Sequence, residues 1–288
     1  MATMKIGTTA QAYASAAFTF QVNPKTVNTP LQNNYQVFPI PFGRMHIFLG
    51  AGGVGVRKIV LTGETYGSSK VSNFNNLAAQ IHDNSVKRLW ISDTRFYNVL
   101  GSDIRRTDTG GRTNFIDYVA SLDCVTPYAL SSTADTYTWT TTGNAKTTLN
   151  DATSGSSGAF ENAGNAPAFI TWTIENASGS AITKIEIGDT NDYATSPHKI
   201  TWAGSLTAGN TLTIHVFKYA SSGTRGTFKE MRFDYATVSG TKTGNVTIDG
   251  EEPPWIDAGA TDQAFSMKLT GNDAAATVTA SWHYSYTG

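Results

Sequence analysis

The chain has 288 residues, a net charge of −1, 27 glycines, one cysteine and only 15% charged residues. That length holds two domains with their own cores or one large all-β domain, and the lone Cys124 excludes an intrachain disulfide and a cysteine metal cluster. The charges are unevenly placed: residues 1–130 hold 12 Lys/Arg and 7 Asp/Glu and residues 131–288 hold 9 and 15, giving +5 (12 − 7) and −6 (9 − 15).

Abundant glycine and threonine with few charges predict a mainly β protein. The charge split supports two domains and could favour head-to-tail or ring contacts between copies, although chance scatter of solvated charges is the plainer reading. Residues 1–17 are small and polar and are expected to form a flexible arm or an added edge strand. Phe18–Val22 alternates as a strand, Asn23–Asn34 carries two prolines and reads as a loop, and Tyr35–Ile40 resumes a strand near an edge, because Pro39 cannot donate to a ladder.

Met45–Leu49 and Arg57–Leu61 read as strands around a glycine-rich turn containing Gly50, Gly52, Gly53 and Gly55. A phosphate-binding loop leads into a helix, whereas this one leads into a strand, so it reads as a hairpin turn. Ser72 is the expected N-cap of a helix over Asn73–Asp83, in which Phe74, Leu77, Ala78 and Ile81 share one face. Such a short amphipathic helix must bury its stripe against a sheet.

Strands are predicted at Lys87–Ile91, Arg95–Leu100 and Arg112–Val125, with Gly101–Gly111 as a long basic loop carrying Arg105 and Arg106. That loop could reach a neighbour or a polyanion, or simply be solvated. A domain boundary is expected near Tyr128–Thr133. Beyond it, Tyr137–Thr142 reads as a strand and Asp151–Gly158 as a flexible turn. Strand periodicity then returns at Phe169–Thr173, Ile182–Glu186 and Leu212–Val216, between turn clusters at Asn176–Ser180, Asp189–Pro197 and Ala208–Asn210. Thr227–Tyr235, Gly244–Ile248, Ala264–Leu269 and Ala276–Tyr286 complete enough strands for two facing sheets.

No catalytic or metal motif is present, and the five histidines are dispersed. Asp189, Asn191 and Asp192 could crowd oxygens around calcium, but the spacing of an EF-hand loop is missing and an Asx-rich turn is the simpler reading. Glu251, Glu252 and Asp257 offer carboxylate pairs that no spacing selects for glycoside hydrolysis. Trp139, Trp172, Trp202, Trp255 and Trp282 read as sandwich core or as stacking platforms for a glycan. Residues 1–17 lack a basic segment followed by an apolar core, and no stretch nears the about 18 apolar residues of a membrane span. The expected product is soluble and cytoplasmically made, with no cofactor.

VRKIVLTGETYG, the helix NFNNLAAQIHDN, RLWISDTRFYNVLGSDIRRT and the strand around FIDYVASLDCVTPYA follow one another in the first half. NAGNAPAFITWTIENASGSAITKIEI, ITWAGSLTAGNTLTIHV and PPWIDAGATDQAFSMKLTGNDAAATVTASWHYSY follow in the second. In order and local pattern the chain resembles the distal tail proteins of long-tailed bacteriophages over about residues 18–286. The polar lead-in 137–161 departs from that pattern.

The resemblance implies a tail-tube-like β-sandwich or split barrel with one flanking helix over residues 1–130. It implies a galectin-like β-sandwich over 131–288. It implies no catalytic residues and a homohexameric ring at the tail tip of the virion, assembled in the host cytoplasm. Its partners would be further copies of itself, the tail-tube protein and a baseplate hub or fibre, with DNA passing through a central channel. On that view Arg105, Arg106, Gly52 and Gly53 are candidates for inter-subunit or tube contacts, and Trp172 and Trp202 for stacking on a host glycan. The alternatives are a tail-tube subunit with an extra sandwich and a carbohydrate-binding adhesin.

Overall fold

The computed structural model describes residues 3–21, 24–28, 58–83, 85–107, 114–126, 128–141, 143–149, 160–177, 179–215, 218–219, 231–232, 235–243, 246–249, 254–271 and 276–287. The segments Tyr35–Ile40, Met45–Leu49, Gly50–Gly55 and Asp151–Gly158 lie outside them. The chain is mainly β and divides into two compact units, one of residues 1–132 and one of residues 133–219 with 230–287.

The first unit contains β1 (Lys5–Thr8), β2 (Phe18–Thr19), β3 (Lys25–Asn28), β4 (Lys58–Tyr66), α1 (Lys70–His82), β5 (Lys87–Trp90), β6 (Arg95–Arg106), β7 (Phe115–Cys124) and the start of β8 (Ala129–Thr140). These pair antiparallel in the order β3-β4-β7-β6-β5-β1-β2. In β7 every second residue is buried, from Ile116 through Tyr118, Ala120 and Leu122 to Cys124, which is the period of a strand with one face in a core. The helix covers that face with Leu77 and Ile81. It comes so close that a methyl group at Gly101, opposite Leu122, would lie 2.1 Å from the carbonyl oxygen of Ile81. Only glycine fits there.

Residues 5–8 take the second of the two forms expected for the N-terminal segment, an added strand and not a flexible arm: they pair with β5 and bury Ile6 to 1% exposure. Three other local readings change. Lys25–Asn28 is a strand on β4 rather than a loop, with Pro24 placed ahead of it, where its missing N–H costs no ladder bond. The helix begins at Lys70, so Ser69 and not Ser72 precedes it, and Ser69 makes no side-chain cap bond. The turn before it is fixed instead by Thr65 Oγ1 donating to Lys70 O at 2.9 Å and by Gly67 at φ +80°. Finally, β6 does not stop at Leu100. A bulge between Gly101 and Asp103 absorbs one residue and the strand continues to Arg106.

The second unit takes the rest of β8, then β9 (Lys146–Thr148), β10 (Ile170–Asn176), β11 (Ile182–Gly188), β12 (Lys199–Leu206), β13 (Asn210–His215), β14 (Lys218–Tyr219), β15 (Met231–Arg232), β16 (Tyr235–Val238), β17 (Thr241–Thr243), β18 (Val246–Asp249), β19 (Ser266–Thr270) and β20 (Thr277–Tyr286). One sheet runs β8-β20-β10-β13-β16-β17 and the other β9-β19-β11-β12-β18, while β14 pairs with β15. Inward residues of both sheets form one core, including Trp172 and Ile174 of β10, Ile185 and Ile187 of β11, Trp202 of β12 and Val278 and Ala280 of β20. This is a two-sheet sandwich. The lead-in that no pattern placed supplies β9, an edge strand on β19, and Leu149, which is fully buried and donates its N–H to Phe265 O at 2.7 Å.

The segment before β10 is anchored by a buried amide. Asn162 is fully buried; its Nδ2 donates to Ala166 O at 2.7 Å and to Asp257 O at 3.1 Å, and its Oδ1 accepts from Gly164 N at 3.0 Å and Ser285 N at 3.3 Å. One side chain thereby holds together the 160–168 segment, the segment around Asp257 and the end of β20. Gly164 must be glycine, because a Cβ there would lie 1.9 Å from the Ser285 carbonyl oxygen.

Candidate functional site

Trp172 and Trp202 are 0% and 1% exposed. Each lies on an inward position of its strand, so the alternation that makes the sandwich also seals the rings inside it. Phe160 sits among them, with its centroid 5.8 Å from Trp172, 5.1 Å from Trp282 and 4.4 Å from Phe265. Neither indole offers a face to a sugar, which corrects the glycan-stacking reading of this pair: the rings serve the core. Trp282, 3% exposed, also belongs to it and donates Nε1–H to Glu161 O at 2.8 Å.

Trp255 is half-buried and stacks on His198 with centroids 5.8 Å apart and an interplanar angle of 29°. His198 Nδ1 meets Asp189 Oδ2 at 2.6 Å. Ser196 Oγ donates toward Asp189 Oδ1 and also lies 2.7 Å from His198 O. Aspartate, histidine and serine thus meet within one turn, between β11 and β12, but not as a nucleophilic triad. Such a triad needs the imidazole between carboxylate and hydroxyl, and here the hydroxyl is on the carboxylate.

The same contacts engage both oxygens of Asp189. Asp192 Oδ1 accepts from Ala194 N at 3.2 Å, an Asx turn, and Asp192 Oδ2 lies 3.7 Å from Lys146 Nζ. The two carboxylates therefore hold the loop together rather than converging on a shared centre. Among the described residues no group of three or more His, Cys, Asp or Glu is placed to hold a metal ion. The Asp189–His198 pair was not visible in the sequence; its only signal is an aspartate and a histidine flanking a serine- and threonine-rich turn.

Arg105 and Arg106 are exposed, at the end of β6 rather than in a loop. The bulge fixes their directions. Arg105 lies opposite Val119, on the outer face of β7, and Arg106 opposite Tyr118, on the face that carries the core. Adjacent strand residues point to opposite faces, so the two guanidinium groups do not form one patch. Gly52 and Gly53 lie outside the described residues.

On the outer face of the first unit, Tyr66 of β4 is opposite Phe115 of β7, with ring centroids 6.3 Å apart, and Glu64 is opposite Asp117. Tyr66 and Val71 are 41% and 52% exposed, the large exposed apolar side chains among the described residues. No periodicity marks them, since an exposed tyrosine at a strand end is ordinary in sequence.

On the core face, the Tyr118 phenol crosses Gly63, where a Cβ would come 2.5 Å from the hydroxyl. Burial, with the nearby Glu64 carboxylate, raises the Tyr118 phenol well above the usual tyrosine range. The Tyr284 phenol is raised in the same way by burial and by its hydrogen bonds to Glu161, at 2.5 Å, and Asp135. At the C-terminal end of α1, Lys87, buried at 2% exposure, pairs with Asp83, and that hydrogen bond holds the Asp83 carboxyl below its usual value.

No protein-family profile matches the chain, and no curated protein matches it in sequence. In structure it is similar to the Dit (gp 19.1) protein of SPP1, described as a paradigm of the hub adsorption apparatus in phages infecting Gram-positive hosts. That likeness has 12% identity, spans 96% of this chain and 98% of that one, and has a TM-score of 0.45. It is also similar to a chain of the phage P2 baseplate in its activated conformation with Ca, at 13% identity over 96% and 97% of the two chains, with a TM-score of 0.40.

Proposed function

We propose that the chain is a structural protein of a bacteriophage tail, a distal tail protein that assembles into a hexameric ring. In this reading the ring joins the tail tube to the baseplate hub or fibre in the virion and leaves a channel through which DNA passes. The supporting observation is the order of pieces in the first unit. The segments that carry the sequence resemblance coincide with β4, α1, β5 to β6 and β7, an antiparallel sheet covered by one helix.

Ring closure requires each copy to present two different complementary surfaces. The opposite charges of the two halves, +5 (12 − 7) and −6 (9 − 15), fit that need. We assign ring formation to residues 1–130 and display on the outside of the ring to the sandwich of residues 131–288. The protein acts by assembly and not by catalysis.

Native mass spectrometry with negative-stain imaging of the purified protein tests this. Six-copy species and short discrete rings are expected. Long tubes would transfer the assignment to a tail-tube subunit with an added sandwich, and a monomer persisting at high concentration would refute the ring.

A further inference from the structure

We infer that the corner formed by the exposed Tyr66 and the half-buried Phe115 is a docking surface for a second copy of this chain, which brings a lysine or arginine to it. The inference rests on the ring reading and names the contact within it.

The corner is apolar and held in place. Tyr66 is tied through its backbone to the Gln21 side chain, N–H to Oε1 at 3.0 Å and Nε2 to O at 3.4 Å. The turn that follows is closed by Gly67 N donating to Asn114 O at 3.3 Å and by the Thr65–Lys70 bond. With its backbone held in this way, Tyr66 has only its two side-chain torsions left to order on binding, a small cost for so large a contact surface.

The kind of partner follows from charge. Two residues along the ladder from the aromatic pair and on the same face, Glu64 and Asp117 stand directly opposite each other on β4 and β7. Among the described residues neither carboxylate is in an ion pair. Like charges directly opposite across a ladder destabilise the sheet that carries them. A cation placed between them would relieve that repulsion, and its alkyl stem could lie on the two rings. The rest of the copy supplies such cations: residues 1–130 hold 12 Lys/Arg against 7 Asp/Glu, two of the seven being this pair. An acidic aromatic corner on a basic unit is the arrangement that heterologous association between identical copies calls for.

The test compares the full-length protein with Glu64→Gln/Asp117→Asn and, separately, Tyr66→Ser, by native mass spectrometry across ionic strength and by thermal denaturation. The amide pair removes the repulsion, so it is expected to leave the melting temperature unchanged or higher while weakening association at least tenfold and flattening its salt dependence. Tyr66→Ser, at an exposed position, is expected to weaken association at nearly unchanged melting temperature. If the unaltered protein assembles and both variants assemble equally well, the inference fails and the ring reading stands. If the unaltered protein is monomeric throughout, both fail together.

Discussion

Replacing Asn162 with alanine should unfasten the second unit. The side chain is fully buried and makes two donated and two accepted bonds within 3.3 Å. Alanine leaves the N–H groups of Gly164 and Ser285 without that acceptor, and an orphaned buried donor costs about 1–3 kcal/mol, so the pair costs about 4 kcal/mol. For a domain of this size that lowers the melting temperature by about 8–16 °C. Scanning calorimetry of the full chain, with hydrogen exchange on residues 160–168 and 281–287, reads both the shift and its location.

The charge of the replacement sharpens the test. Asn162→Asp keeps the acceptor but turns a second oxygen toward the carbonyls of Ala166 and Asp257. The introduced carboxyl is therefore driven to its protonated form, and its folded-state pKa rises above the unfolded value. Its contribution is present below the unfolded pKa and lost as pH rises through the folded one, so this variant should be relatively more stable in acid than at neutrality. A loss under about 2 °C for Asn162→Ala, or an Asn162→Asp variant indifferent to pH, would refute the account of Asn162 as the fastening of this unit.

Two further substitutions exploit the first unit. Gly101→Ala and Gly63→Ala are the same chemical change, but the first methyl meets the Ile81 backbone carbonyl at 2.1 Å and the second meets the hydroxyl end of Tyr118 at 2.5 Å. Because a side-chain tip moves more cheaply than a helix backbone, Gly101→Ala should cost more than about 2 kcal/mol and lower hydrogen-exchange protection across α1, while Gly63→Ala should cost less than half of that. Asp83→Asn should strand the buried Lys87 ammonium and cost about 3 kcal/mol at neutral pH. The Asp83 carboxyl is depressed in the fold, so in the unaltered protein its contribution is fully present above the unfolded carboxylate value and disappears as pH falls through the lower folded one. Melting curves from acid to neutral pH should therefore converge for the two proteins at the acid end.

The sandwich was the more legible half because both of its sheets bury one face. A buried face forces strict alternation, and the runs through Trp172, Ile185 and Ile214 all sit on inward positions of β10, β11 and β13. The first unit was read correctly where a long strand has a single buried face, as in β7, and poorly where tertiary pairing decides. β1 contributes little more than Ile6 to the core, too short a pattern to distinguish from an arm. β3 has no alternation to read and owes its state to pairing with β4. The helix start slipped because Ser69 and Ser72 both have the chemistry of an N-cap, while the entry is set by Thr65 and by the positive φ of Gly67.

The functional candidates were less legible than the fold, and Arg105 and Arg106 show why. In sequence, Arg105 and Arg106 between Gly101 and Gly111 read as part of a long basic loop. Whether they belong to a loop depends on whether β6 survives Gly101, and that glycine is present for the approach of α1, not to end the strand. The bulge then places one arginine on each face. A contact that needed both charges at one point could not be made here, and charge-removing substitutions at the two positions should not be equivalent. Only Arg105 shares the outer face with Tyr66, Phe115, Glu64 and Asp117. A polyanion or a partner approaching that face meets acid and aromatic groups at the strand ends, with Arg105 of β6 opposite Val119 and Lys58 of β4 opposite Asp123 as separate cations further along the ladder. Such an ordered mixture suits recognition of one specific surface better than capture of nucleic acid, which needs clustered positive charge.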